Sequence, residues 1–101
     1  MGLKKRYLKT RSVGKVTFKL TKEAVGAARK VHVVGEFNDW DPRATPMSKL
    51  KDGGFSITLD LEPGREYRFR YLIDEQIWQN DWEADKYEPS PYGVEDSVVV
   101  V

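Results

Sequence analysis

The chain has 101 residues, the length of one ordinary domain, and 40% of them are apolar, which is enough for one modest core. The longest purely apolar run, residues 98–101, is far shorter than the ~20 residues of a membrane-spanning helix, and no secretory signal pattern follows the basic start. The absence of cysteine excludes disulfide bonds, thiol nucleophiles and cysteine-based metal sites. We therefore expect a soluble, cytoplasmic domain without membrane contacts.

The charges are unevenly distributed, although the formal net charge is only +1. Residues 1–15 carry six basic side chains and no acid, whereas residues 74–96 carry eight acids against Lys86 alone. We divide the chain into a basic N-terminal arm, residues 1–14, and a β-sandwich domain, residues 15–101. A basic arm can contact nucleic acid, but we interpret this one as a solvated end that offsets the acidic stretch.

Short strands are predicted along the whole chain, from period-2 alternation of apolar residues or from β-branched runs. They cover residues 16–20, 31–34, 55–61, 67–73, 77–79 and 97–101. Turn residues separate them, most densely at 36–47 and 51–54, and two alanines in 21–29 suggest one turn of helix. The acidic residues 80–95 are predicted to be an ordered loop. This pattern is typical of an all-β antiparallel sandwich.

The alternation also predicts which side chains form the core and which face outward. Arg68 and Arg70 alternate with aromatic residues, so both are expected to point away from the core. The expected core residues are Val16, Phe18, Phe55, Ile57, Leu59, Leu61, Tyr67, Phe69 and Tyr71.

No catalytic or metal-binding group stands out. His32, the single histidine, lies between valines and is interpreted as an ordinary strand residue. Paired carboxylates such as Asp81 and Glu83 are interpreted as solvated turn acids. The acidic stretch from Asp81 resembles a calcium loop, but Lys86 stands where the loop needs Gly and Tyr92 where it needs Glu. We predict no catalytic residue, no metal and no cofactor.

The three tryptophans are more informative, because Trp40, Trp78 and Trp82 lie in polar loops and turns. A sandwich core commonly takes up one such ring, but exposed rings are good platforms for a nucleic-acid base or the C–H face of a sugar. Here the rings lie among carboxylates, which repel phosphate and are tolerated by a neutral sugar. The pattern favours carbohydrate over nucleic acid.

Residues 33–40, VVGEFNDW, resemble the signature of family 48 carbohydrate-binding modules. These are the early-set, immunoglobulin-like domains of isoamylases and glycogen-branching enzymes, and the glycogen-binding domain of the AMP-activated protein kinase β subunit. The similarity continues at residues 45–47, 59–61, 69–74, 78–81 and 92–99. It covers roughly residues 15–101 and implies an immunoglobulin-like early-set sandwich.

The resemblance also implies the binding residues. Family tryptophans that stack on glucose rings match Trp40 and Trp78, and a basic residue that bonds sugar hydroxyls matches Arg70. A family Asn with the same role is replaced by Asp96, which offers only acceptors, so Asp96→Asn is expected to leave the affinity unchanged or to raise it. Rim contacts are expected from Trp82 and Tyr92.

The sequence departs from the family in the turn before Trp78. Glu75 occupies the position of a usual Gly, and Ile77 is one extra residue. Both departures affect the angle at which the Trp78 ring is presented.

The resemblance implies a free-standing, monomeric, non-catalytic module for α-1,4-linked glucans such as glycogen, starch or maltooligosaccharides. One alternative is a protein-interaction or scaffold domain of the same fold that uses the basic arm or the acidic loop. Another is an accessory domain of a family 13 type glycoside hydrolase, with a glucan-metabolising enzyme as its partner. Such enzymes carry their active site in a separate barrel that these residues do not encode, so no activity is expected.

Overall fold

The structure is a computed structural model that describes residues 2–9 and 12–101. The described residues form an immunoglobulin-like early-set sandwich of two antiparallel sheets, which confirms the predicted fold class. The strands are β1 (Gly2–Tyr7), β2 (Gly14–Leu20), β3 (Val31–Gly35), β4 (Ser48–Lys49), β5 (Phe55–Leu61), β6 (Glu66–Ile73), β7 (Ile77–Gln79), β8 (Lys86–Pro89) and β9 (Glu95–Val100). One α-helical turn, α1 (Lys22–Val25), follows β2, and a 3₁₀ turn (Glu36–Asn38) follows β3. Within the described residues, no helix has the length and apolar character needed to cross a membrane.

The first sheet has the strand order β1-β2-β5-β4. Its centre is the β2–β5 pair, in which Thr17 lies opposite Thr58 and the two hydroxyls are 2.8 Å apart. Within the predicted basic arm, Gly2–Tyr7 forms a strand that pairs in register with Gly14–Lys19. This segment alternates little in hydropathy, because none of its six residues is fully buried and four are exposed at the edge of the sheet.

The second sheet has the order β3-β6-β9-β8, and β7 pairs with the end of β6 beyond β9. The loop predicted over residues 80–95 is partly wrong, since Lys86–Pro89 forms the edge strand β8. Its proline is compatible with a strand only at such an edge. Residues 45–47 cover the free side of β3, where Met47 donates its backbone N–H to the Val31 carbonyl at 2.8 Å.

The core lies between the sheets and contains the residues that the alternation predicted, with Ile57 and Leu59 partly buried at its margin. Aromatic rings occupy its centre, where the Phe18 ring meets the Phe69 ring edge-on at 5.1 Å between centroids. Such pairs add ~0.5–1.5 kcal/mol beyond the area they bury. The strand period then forces Arg68 and Arg70 onto the outer face of the second sheet.

Candidate functional site

A cavity of about 570 Å³ opens on the outer face of the second sheet, away from the first sheet. It combines aromatic rings with arginine, serine and carboxylate groups. Its walls are Trp40, Arg68, Arg70, Trp78, Ser90, Pro91, Tyr92 and Asp96. Five of the six residues singled out in the sequence therefore meet in one cavity, and Trp82 is the exception.

Strand register brings three of these side chains together. Leu72 of β6 lies opposite Trp78 of β7, and Phe69 lies opposite Ser97 of β9. One step along each strand from the Phe69–Ser97 pair, Arg70 and Asp96 are neighbours on the outward side. The β6–β7 and β6–β9 pairings together place an aromatic ring and an ion pair on the same face.

Trp40 is presented by a tight turn that Asn38 holds in place. The Asn38 side-chain oxygen accepts from the Gly35 N–H at 3.0 Å, and its amide donates to the Val33 carbonyl at 3.0 Å and to the Thr45 hydroxyl at 2.9 Å. Trp40 itself has φ +57°, in the left-handed region that a bulky residue adopts only when its surroundings require it. The turn thus holds the indole ring at the cavity in a defined direction.

The turn before Trp78 accommodates its non-glycine residues. Asp74 and Glu75 have φ +51° and +60°, so Glu75 takes the left-handed conformation for which the family uses Gly. Asp74 accepts from the backbone N–H groups of Lys30 and Arg29, which lowers the pKa of its carboxyl, and Lys30 also pairs with Glu75. The extra Ile77 pairs with Ile73, and Trp78 still lines the cavity.

Trp82 lies away from the cavity although it is 57% exposed. With the Gln79 amide oxygen turned towards it, the indole Nε1 of Trp82 donates to that oxygen at 3.2 Å, while the amide nitrogen reaches the Ala24 carbonyl. Gln79 and Trp78 are neighbours on β7 and point to opposite faces. Trp82 therefore belongs to the side of α1.

Two arginines hold the carboxylate in the cavity. Arg70 Nη2 is 2.7 Å from Asp96 Oδ1, and Arg68 Nη1 is 3.4 Å from Asp96 Oδ2. Arg68, which the strand period places on the outer face, lines the cavity but is not among the predicted binding residues. The signal was present, because residues two apart on a strand share a face.

A partly buried polar cluster joins the residues that follow β7 to β9. Asn80 donates to the Glu95 carbonyl at 2.8 Å, and its side-chain oxygen accepts from both the N–H and the hydroxyl of Ser97. Asp81, interpreted from the sequence as a solvated turn acid, is instead fully buried, and its carboxylate accepts from the Tyr71 hydroxyl at 2.7 Å. The cluster fixes the start of β9, and hence Asp96, relative to Trp78.

Burial dominates the titration of this cluster. It raises the pKa of the Asp81 carboxyl above its ordinary value, although hydrogen bonds from the Tyr71 hydroxyl and the Glu83 N–H act in the opposite direction. Burial also raises the pKa of the Tyr71 phenol, and the nearby Asp81 charge raises it further. The pair lies on the core side of the sheet and does not line the cavity.

The remaining candidates carry no site. Within residues 2–9 and 12–101, no group of three or more His, Asp or Glu side chains is arranged to hold a metal ion. His32 is a buried residue of β3, in bridge contact with Pro46. It does not line the cavity.

An immunoglobulin-like sandwich with aromatic rings and hydrogen-bonding side chains on one open face belongs to the class of carbohydrate-binding modules. Residues 17–96 match the family described as the glycogen recognition site of AMP-activated protein kinase. The match covers most of the chain, and the chain therefore belongs to this family of glycogen-recognition domains.

Similar stretches occur in much longer enzymes. The chain is 49% identical over 43 residues, 42% of its length, to a 1,4-alpha-glucan branching enzyme of Photobacterium profundum, covering 6% of that enzyme. It is 34% identical over 83 residues, 80% of its length, to an amylopullulanase of Thermoanaerobacter thermohydrosulfuricus, covering 5% of it. A branching enzyme of Trichodesmium erythraeum is 34% identical over 73 residues, which is 70% of the chain and 8% of that enzyme. The chain thus spans less than a tenth of these relatives.

Proposed function

We propose that the cavity binds a linear α-1,4-linked glucan by stacking glucose rings on Trp40 and Trp78 and by hydrogen-bonding their hydroxyls from the arginines. The observation that carries the proposal is that two partly exposed indoles share one cavity with Arg70 and Asp96. Indole faces suit the apolar C–H face of a sugar, and guanidinium groups suit its ring of hydroxyls. Tyr92, which is largely exposed beside them, serves as a rim contact.

The charges at the cavity favour a neutral ligand. The charged lining groups are Arg68, Arg70 and Asp96, so the lining carries a net charge of only +1, and both arginines share the Asp96 carboxylate. Asp39 and Asp41 flank Trp40, so a phosphate backbone that followed the rings would meet carboxylates. A polyanion such as nucleic acid is disfavoured for this reason.

The expected affinity is modest. Each stack is worth on the order of 1–3 kcal/mol by analogy with base stacking, and the hydrogen bonds compete with water. After the cost of association, a linear oligosaccharide is expected to bind with a Kd of roughly micromolar to millimolar.

The relatives suggest how such binding is used. They are named as glucan branching enzymes and amylopullulanases, of which this chain matches only a small part. We propose that the domain is a monomeric, cytoplasmic, non-catalytic unit that holds α-glucan, and that it binds without help from a second domain. A glucan-metabolising enzyme is the partner for which such a unit would be useful.

Isothermal titration of this chain with maltoheptaose tests the proposal. We expect binding in the stated range, with little change when salt is raised to about 0.5 M, because the ligand is neutral. Dextran is the matched control, since it is also a glucose polymer but lacks α-1,4 linkage. Absence of maltoheptaose binding, or binding that collapses with salt, contradicts the proposal and favours a protein-interaction domain.

A further inference from the structure

The carboxylate of Asp96 is not free to serve as an ordinary sugar contact. Asp96 is only 5% exposed, and each of its oxygens faces a different arginine. A carboxylate has about four lone-pair sites, but with two of them facing arginines and only 5% of the residue exposed, Asp96 has little room left for a neutral hydroxyl. Its position among the cavity walls therefore calls for a role other than direct contact.

Arg68 has the opposite character, because it is anchored and yet accessible. Its backbone N–H donates to the Glu36 carboxylate at 2.6 Å, and its Nη1 donates to the Pro89 carbonyl at 3.2 Å and approaches Asp96. The side chain is still 37% exposed at the cavity. Within residues 2–9 and 12–101, no hydrogen bond or ion pair involves Nε or Nη2 of Arg68, so these donors are available to a ligand.

Arg70 occupies a deeper position in the same wall. Its side chain is 19% exposed, and its Nη2 is bonded to Asp96 and lies 3.5 Å from the Ser90 hydroxyl. The two arginines thus stand at different depths on β6 with one carboxylate between them. Because guanidinium groups are planar and rigid, a carboxylate that fixes one edge of each also fixes the direction of the remaining donors.

We propose that Arg68 is a further glucan-binding residue and that Asp96 is a positioning residue, which acts on the sugar through Arg68 and Arg70. The proposal rests on the glucan-binding function proposed above and identifies which polar groups of that site touch the ligand. Arg68 extends the row of hydroxyl-binding donors along β6, towards the wall that carries Ser90 and Tyr92. Asp96 holds this row in place before the ligand arrives.

The proposal reverses the sequence-based expectation for Asp96→Asn. Asn is nearly the same shape, but it has one acceptor oxygen and no charge, so it cannot hold both arginines. Part of the pre-organised row is then lost, and affinity falls even though Asn itself can bond a hydroxyl.

A double-mutant cycle with Arg68→Gln and Asp96→Asn, titrated with maltoheptaose, tests both parts of the proposal. We expect each single substitution to weaken binding about 3- to 10-fold, the scale of one net hydrogen bond. We expect the double variant to be weakened clearly less than the product of the two single effects, because the carboxylate acts partly through Arg68. Arg65→Gln is the matched control, since Arg65 also has a carboxylate partner, Glu62, but lies outside the cavity.

The side-chain Nε–H resonances of Arg68 and Arg70 provide a readout that a merely structural role would not move. Addition of maltoheptaose should shift both signals in the wild-type chain, and Asp96→Asn should broaden or shift them without the sugar. Should Asp96→Asn fail to fold in a thermal melt, Arg68→Gln and these wild-type shifts still decide whether Arg68 binds the sugar.

Three results overturn the inference. If Arg68→Gln binds with wild-type affinity, Arg68 is not part of the site. If the effects of Arg68→Gln and Asp96→Asn multiply, Asp96 does not act through Arg68. An Arg68 signal that does not shift on addition of the sugar contradicts direct contact. If the wild-type chain itself fails to bind maltoheptaose, both the proposed function and this inference fail. If it binds and Arg68→Gln binds maltoheptaose as tightly as wild type, the inference fails alone.

Discussion

Trp78→Ala removes the more exposed of the two indole rings that line the cavity. Trp78 lies on β7 with 49% of its surface exposed, opposite Leu72 on the outer face of the second sheet. If the ring stacks on glucose, its loss should cost about 1–3 kcal/mol of binding free energy, which corresponds to a roughly 5- to 150-fold higher Kd for maltoheptaose. Isothermal titration measures the change directly.

The fold should survive this substitution. Because about half of the side chain is already in solvent, the loss of stability should be on the order of 1–2 kcal/mol, which a thermal melt reports as a shift of about 4–16 °C in a domain of this size. An upper-end shift still leaves a folded protein in which binding can be measured at room temperature.

Trp82→Ala is the matched control, because Trp82 is 57% exposed, lies four residues away and does not line the cavity. Its affinity for maltoheptaose should stay within about twofold of wild type, given typical scatter for distant sites. Equal losses in both variants would mean that general damage, and not stacking, lowers the affinity. Wild-type binding by Trp78→Ala would refute the reasoning outright.

Three further predictions concern the supports of the site. Asn38→Ala removes three hydrogen bonds from the Trp40 turn and should lower the free energy of unfolding by about 2–3 kcal/mol. Urea denaturation measures this change, and wild-type stability would contradict the prediction. Glu75→Gly should raise the free energy of unfolding by about 0.5–1 kcal/mol, because Gly adopts φ +60° without strain and the lost ion pair with Lys30 is exposed. A less stable variant would show that the ion pair outweighs the strain. Asp81 has a raised pKa when folded, so the stability it contributes is complete below its ordinary value near 3.8 and is lost as the pH rises through the folded pKa. The stability of Asp81→Asn relative to wild type should therefore increase as the pH rises above 3.8, and a constant difference would contradict the pKa direction.

Alternation predicted the strands that have one apolar face and one polar face. In β5 and β6, Phe55, Leu61, Phe69 and Tyr71 face the core, as the period of two requires. The edge strands carry no such signal. β1 is rich in lysine and arginine, and β8 contains Pro89, so both look like surface segments until their pairing partners are known.

The site could be predicted in part for a similar reason. Arg70 and Trp78 could be located from strand period and turn position, because their placement depends on residues close to them in sequence. Asp81 could not be assigned, because its burial depends on Tyr71, which lies on another strand. The bracketing of Asp96 by Arg68 and Arg70 likewise depends on the register of β6 against β9, which composition does not specify.

Amide chemical-shift mapping with maltoheptaose tests the central claim most directly. The account predicts shifts at the cavity, strongest at Trp40, Trp78 and their indole N–H groups, with Asp96 and the residues beside Tyr92 also affected. The first sheet, including Thr17 and Thr58 on its outer face, should stay unchanged. Shifts confined to the first sheet, or no shifts at saturating millimolar sugar, would contradict glucan binding at this cavity.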